Sequence, residues 1–225
     1  MHFTERVLTN HRNCYYMIDR SRGSPALQKF FTDEFDGVLI TDFWGPYESV
    51  CAEDRQYCLV HLLRELEKVD DRNDSPEWQA FAKKLRRLLR DGIRLRKRDD
   101  FAPDKHRDRV DQLNRRLADF SAVEREDGDA RRLTNRLRKY VEYIFTFLDY
   151  DHVPFENNFA ERQIRPAVIL RKNSQSNRSD QGAATQAVLM SVYRTLRLRG
   201  LAPTKTIADA LKTYLITTKL PPLPE

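Results

Sequence analysis

The sequence predicts an α/β chain in which a short strand-rich region leads into a long helical one. Three observations carry this expectation. Residues 37–42, GVLITD, form a continuous apolar run ending in an acid, the pattern of a strand buried on both faces. From Ser75 to about Tyr150, apolar residues recur at three- and four-residue steps, the period of an amphipathic helix. Beyond about Gln181, two further helical stretches run to the tail LPPLPE. The expected organisation is a partial sheet core over 1–74, a helical insertion over 75–150 and C-terminal helices over 151–225 that complete the core.

Taken in order, TERVLTN and NCYYMID read as two short strands around a polar turn, HRN. Pro25 marks the start of a short helix, with Ser24 as its cap. GVLITD is the clearest strand, and its terminal Asp42 precedes FWGPY, a loop or short helix. In open α/β sheets ligands bind beyond the carboxyl ends of the strands, so Asp42 is a site candidate; a turn or capping Asp is the plainer alternative. QYCLVHLL reads as a strand passing into the helix RELEKV. Its Cys58 and His61 could supply half of a zinc site, but no second half lies at matching spacing, and a buried Cys beside a hydrogen-bonded His is the simpler reading.

The insertion reads as three helices in antiparallel hairpins. Their stripes are Trp78, Phe81, Leu85, Leu88 and Leu89, then Val110, Leu113, Leu117 and Phe120, then Leu133, Leu137, Tyr140, Val141, Ile144 and Leu148. After the polar stretch SQSNRSDQG comes a helix to Arg199, with Ala184, Val188, Val192 and Leu196 as its stripe and Gly200 as the residue that ends it. Arg194, Arg197 and Arg199 complement its C-terminal dipole. The last helix, from Thr204 to Ile216, shows Ile207, Leu211 and Leu215.

Composition narrows the partners. The 225 residues are 40% hydrophobic and 33% charged, with a net charge of +6. The pI of about 9.3 favours a polyanion. Residues 76–98 hold nine Lys/Arg against two acids, and 162–199 hold eight against one, so contact with a nucleic-acid backbone is expected. Three cysteines, Cys14, Cys51 and Cys58, form no secreted disulfide framework. With no apolar signal or membrane-spanning run, a soluble cytoplasmic protein is expected.

The stretch that concentrates chemistry is PFENNFAERQIRPAVILRKN, residues 154–173. Glu161 and Arg165 share a helix face at i, i+4. Arg162, Arg171 and Lys172 add positive charge, and Asn157 and Asn158 can cap the helix start. Pro166 is expected to end or kink the helix after Arg165. An acid among bases suits an anionic partner with a metal ion between; an exposed Glu–Arg pair is the plainer alternative.

The order of strand-terminal Asp42, CLVH, a helical insertion, ENNFAERQIRP and RKN, followed by QGAATQAVLMSVYRTLRLRG, resembles the insertion-sequence-66 family of bacterial transposases. The resemblance covers about residues 7–215. It implies a DDE transposase with a ribonuclease-H-like core, Asp42 matching the second catalytic acid and Glu161 the third. Both would be ligands of Mg²⁺ or Mn²⁺, hard ions that take carboxylate oxygens. It further implies DNA as partner, both transposon ends and target, held at Arg162, Arg165, Arg171 and Lys172, and a homo-oligomer. Asn157, Asn158, Cys58 and His61 become neighbours of the active site. Glu156 departs from the family's more frequent Asp. The family's first Asp, on the first strand, would lie upstream of Met1, and neither Asp19 nor Glu5 is placed to replace it. The expectation is a truncated, catalytically inactive copy; the alternative is a non-catalytic DNA-binding remnant.

Overall fold

The computed structural model describes residues 3–174 and 177–225. Among the described residues, four strands and eight α-helices follow one another. They are β1 (Thr4–Thr9), β2 (Cys14–Asp19), α1 (Ser24–Gln28), β3 (Phe35–Thr41), β4 (Ala52–Tyr57), α2 (Leu59–Asp70), α3 (Pro76–Arg96), α4 (Arg107–Ala122), α5 (Gly128–Lys139), α6 (Asn158–Ser174), α7 (Asp180–Leu198) and α8 (Pro203–Thr217). They form two compact units. One comprises the residues up to Phe30 with Asn158–Glu225, the other Phe31–Asn157.

In the first unit, β1 and β2 pair antiparallel, from Thr4 opposite Asp19 to Thr9 opposite Cys14. Asn10 closes the hairpin. Its side-chain oxygen accepts from the backbone N–H groups of Arg12 (2.9 Å) and Asn13 (2.8 Å), an Asx turn. Helix α6 packs on β1 and α7 on β2. The outer edge of β2 needs partners for its N–H groups. Two hydroxyls one turn apart on α7 supply them: Cys14 N–H donates to Thr195 Oγ1 (3.0 Å) and Tyr16 N–H to Ser191 Oγ (2.8 Å). Thr195 then donates back to the Cys14 carbonyl (3.1 Å).

Several expectations for this unit need correction. Ser24 is the first helical residue of α1 rather than its cap; Gly23 stands at the cap position. Pro166 lies inside α6, which continues to Ser174. The stripe expected on α7 holds at Leu196, which is buried, but not at its start: Ala184 and Val188 are exposed, Val188 by 62%, and Ala183 and Thr195 are buried instead. The helix turns towards β2 the small and hydroxylic face that can complete a strand edge. On α8, Leu211 and Leu215 are exposed. Gly200, with φ of +74°, ends α7 as expected. The N–H groups of Gly200 and Leu201 reach the carbonyls of Arg197 (3.1 Å) and Leu196 (2.9 Å), the paired bonds of a Schellman motif. Gln175 and Ser176 of the expected polar turn lie outside the described residues.

In the second unit, β3 and β4 pair in parallel, with Val38 opposite Asp54 and Thr41 opposite Tyr57. Strand β3 is less enclosed than an apolar run suggests: only Leu39 and Thr41 are fully buried. The strand within AEDRQY begins earlier than the apolar run and stops at Tyr57, and Cys58 caps α2. Helices α3, α4 and α5 follow the predicted periodicity. They share one core with the sheet, in which Leu59, Leu62, Trp78, Phe81, Leu117, Leu137 and Phe147 are enclosed. Gly92 is the close approach within that core, since a Cβ there would meet the Phe145 ring at 2.7 Å.

The third helix of the insertion is shorter than its stripe implies. It ends at Lys139, and 3-10 turns follow at Val141–Tyr143 and Thr146–Leu148. Gln56, fully buried on β4, explains the change. Its amide nitrogen donates to the carbonyls of Tyr57 (2.6 Å) and Ile144 (3.1 Å), and its oxygen accepts from Phe147 N–H (2.8 Å). A continuous α-helix would bond those backbone groups to itself; here a strand side chain bonds them instead.

Two stability predictions follow from these bonds. Gln56→Leu leaves the Ile144 carbonyl and the Phe147 N–H without partners and should cost about 2–4 kcal/mol. Both tryptophans, Trp44 and Trp78, lie in this unit, so urea unfolding followed by their fluorescence measures the loss; a change below about 0.5 kcal/mol would remove Gln56 from this role. In the first unit, Arg171 Nη1 pairs with Glu5 Oε2 at 2.7 Å, and the Glu5 side chain is 1% exposed. Arg171→Ala strands that carboxylate. Because the Arg171 side chain is 34% exposed, we expect about 2 kcal/mol, less than for breaking a fully buried pair. Hydrogen exchange of the β1–β2 amides should then quicken roughly thirtyfold, and Glu5→Gln with Arg171→Met should recover part of the loss.

Candidate active-site segments

Asp42 follows the last residue of β3. The next residues turn sharply into a 3-10 turn at Gly45–Ser49. Asp42 Oδ1 begins this turn by accepting from Trp44 N–H at 3.0 Å. Its Oδ2 accepts no hydrogen bond, and no Lys or Arg pairs with the carboxylate, among the described residues. The side chain is half-buried.

The loop carrying Asp42 is anchored on several sides. Phe43 stacks on Tyr57, with ring centroids 4.8 Å apart and an interplanar angle of 11°, and the Arg136 guanidinium lies over the Phe43 ring, 5.2 Å from its centroid. Arg55 donates to the carbonyls of Tyr47 (2.8 Å) and Val50. Glu48 pairs with Lys139 at 2.7 Å and accepts from the Tyr140 hydroxyl. The hydrogen bonds from Lys139 and Tyr140 hold the Glu48 carboxyl below its ordinary range. Burial pushes the Tyr57 hydroxyl well above its own. These groups therefore keep their ordinary neutral-pH charge states and act as scaffolding for the loop.

Beside this loop, Cys58 and the segment leading to α6 are laced together. Cys58 N–H donates to the Thr41 carbonyl (2.8 Å), continuing the β3–β4 ladder past Tyr57. Its fully buried Sγ accepts from Asn157 N–H at 3.2 Å. Leu59 N–H, one of the unpaired donors at the start of α2, goes to the Phe155 carbonyl at 2.9 Å. Cys58 thus joins the end of the parallel strands to the start of the ENN motif. His61 is half-buried in the first turn of α2. Among the described residues, no group of three or more His, Cys, Asp or Glu side chains gathers in metal-binding range.

Glu161 belongs to the other unit. It is half-buried in the first turn of α6, where a negative charge suits the helix dipole. Asn158 is the first residue of that helix and Asn157 precedes it. Arg162 is exposed, its guanidinium 5.9 Å from the Phe159 ring centroid. Arg165 and Lys172 are exposed and make no ion pair among the described residues. Arg171 differs, being held by Glu5.

Sequence reading passed over Gln163, the buried centre of this helix. Its carbonyl accepts from the Tyr16 hydroxyl. Its side-chain oxygen accepts from Arg194 Nε (3.1 Å) and Nη2 (2.6 Å). Arg194, expected to serve the α7 dipole, instead ties α7 to α6. The available signal was a Gln inside an apolar stripe, two residues beyond the acid.

Residues 2–185 match the Transposase IS66 family. The chain is also 25% identical, over 214 residues, to "Uncharacterized protein y4jD" of Sinorhizobium fredii (strain NBRC 101917 / NGR234). That alignment covers 88% of this chain and 41% of the relative, so the chain spans about two fifths of the relative's length. No solved structure matches. Among the described residues, no helix is long and apolar enough to cross a membrane. With most of its length matched, the chain belongs to the IS66 family of transposases.

Proposed function

We propose that this chain carries two acids of a DDE-type site, Asp42 and Glu161, on a ribonuclease-H-like framework that acts on DNA with Mg²⁺ or Mn²⁺. The observation that carries the reading is Asp42 itself. It is a half-buried carboxylate at the carboxyl end of a parallel strand, fixed through Oδ1 and left without a cation of the protein's own among the described residues. Such a group suits a hard cation, which takes carboxylate oxygens and shares its shell with phosphate. Bound there, the metal would supply charge stabilisation for phosphoryl transfer between DNA strands. Asp42 and Glu161 would hold it. Arg162, Arg165 and Lys172 would neutralise and orient phosphates, with Arg171 occupied by Glu5. Cys58 and Asn157 would fix the segment that leads to Glu161.

A third carboxylate has no counterpart in β1 or β2. Glu5 is paired with Arg171. Asp19 is bound by Lys29 (2.5 Å) and by Ser21 N–H (2.7 Å), bonds that outweigh its burial and hold its carboxyl below the ordinary range. We therefore expect the 225 residues to bind DNA without cutting it, which is also the reading of a non-catalytic DNA-binding protein. The two are separated by the metal.

Iron(II) with ascorbate and peroxide cuts a backbone beside a bound metal. Under the active-site reading, the chain is cut near Asp42 and near Glu161. Mg²⁺ or Mn²⁺ competes with this cutting, and both Asp42→Asn and Glu161→Gln abolish it. Cutting that is absent, or unchanged in both variants, sinks the metal role. Mg²⁺-dependent nicking of supercoiled plasmid that Asp42→Asn removes would overturn the expectation of binding without cleavage.

A further inference from the structure

Helix α3 is charged in a way its neighbours are not. Lys83, Arg87, Arg90 and Arg94 recur at steps of four, three and four, so they line one exposed face. Over the eleven steps from Lys83 to Arg94 the helix rises ~16 Å. Lys83, Arg87 and Arg90 have no ion-pair partner among the described residues. Arg94 has only a loose contact with Asp91 at 3.7 Å, and its side chain is 75% exposed. These four residues and Arg86 are the whole lining of a shallow surface hollow. Arg94 also lines a second hollow between α3 and α4, where Arg98, Arg109 and Arg116 join it and Asp91 is the sole acid.

A face kept only for solubility would mix its charges. Helix α4 does so, alternating Asp108, Arg109, Asp111, Arg115 and Asp119. Like charges at i, i+4 are destabilising, so α3 carries a folding cost that α4 avoids, and a polyanion would relieve it. We infer that this face of α3, continued by Arg109 on α4, is a track for the phosphate backbone of duplex DNA, separate from the residues of α6. It rests on DNA being the partner. The chemistry selects duplex over single strand, because no Phe, Tyr or Trp lines either hollow to stack an unpaired base. A ~16 Å run of duplex presents about nine phosphate charges, enough to engage every cation of the track.

The test measures binding of the full chain to a labelled 30-base-pair duplex of random sequence, by fluorescence polarisation between 50 and 200 mM KCl. Three variants are compared, each confirmed as folded by circular dichroism. The track variant is Lys83→Ala, Arg87→Ala and Arg90→Ala. The control, Lys68→Ala, Arg115→Ala and Arg131→Ala, removes the same charge from exposed positions without ion pairs. The third is Arg162→Ala, Arg165→Ala and Lys172→Ala on α6. The track variant should bind at least tenfold more weakly at 50 mM, and its slope of log Kd against log salt should flatten by about 2.7 for three lost phosphate contacts. The control should stay within about twofold of the unaltered chain. Equal weakening by track and control variants means that net charge alone acts, and overturns the track. Loss on α6 with none on α3 also overturns it while leaving the proposed function standing. No duplex binding by the unaltered chain sinks the DNA reading and the track together. Tighter binding to a single strand of the same length, undiminished in the track variant, assigns the surface to another role.

Discussion

A single buried amide sets the form of the second unit. Gln56 sits on a parallel strand with hydrogen-bonding capacity that burial would otherwise waste, and it joins the Ile144 carbonyl to the Phe147 N–H. A buried polar group that is fully engaged fixes one arrangement; the same group half-engaged would be worse than an apolar residue. Because Gln56 binds backbone, it decides where the insertion stops being α-helical. Residues 140–148 then fold as short turns that bring Phe145, Phe147 and Leu148 into the core that also holds Trp78 and Leu85. Tyr140 is left free to reach Glu48, which pins the loop that presents Asp42. The chain of causes runs from one amide to the placement of an acid.

The first unit solves a different problem. Two short strands make a hairpin with too little apolar surface to stand alone. Its stability comes from helices that complete the edges rather than only covering a face. Ser191 and Thr195 give β2 the partners a third strand would give. Tyr16 and Arg194 both converge on Gln163, so β2, α6 and α7 are joined at one residue. Glu161 lies two residues before that junction, on the part of α6 whose position the hairpin and α7 hold.

Legibility in the sequence followed locality. The hairpin, the apolar run of β3, the three helices after Ser75 and the Gly200 stop all depend on neighbours within a few residues, and all were readable. The hydroxylic face of α7 was not, because hydroxyls on a helix signal a strand edge only once that edge is known to lie beside them. The early end of α5 was missed for the same reason, since Gln56 acts from some ninety residues away. Pro166 predicts an end or a kink, because it removes one N–H and crowds the preceding turn. The helix nevertheless continues, its faces held by β1 and by the Gln163 junction. Among the candidate site residues, Asp42 was legible as a strand-terminal acid. That Arg171 serves Glu5 was not, because a buried carboxylate on β1 cannot be told from an exposed one by alternation alone.

The acids of this basic chain differ in how they are neutralised. Glu5, Asp19, Glu65 and Asp129 each meet an arginine or lysine of the protein. Asp42 is as enclosed as several of them and lies in a chain with a surplus of cations, yet its loop is built from aromatic stacking, an Asx bond and an ion pair that excludes it. A partly desolvated charge without compensation is costly. Where a fold rich in arginine withholds one from a fixed, half-buried carboxylate, the compensating charge is expected from outside the chain. This asks for a cation at Asp42. On α3 the inverse holds, since Arg87 and Arg90, without an ion-pair partner among the described residues, ask for an anion. A polyanion that brings its own divalent ions would satisfy both demands, which supports the proposed reading of DNA with a bound metal as the partner.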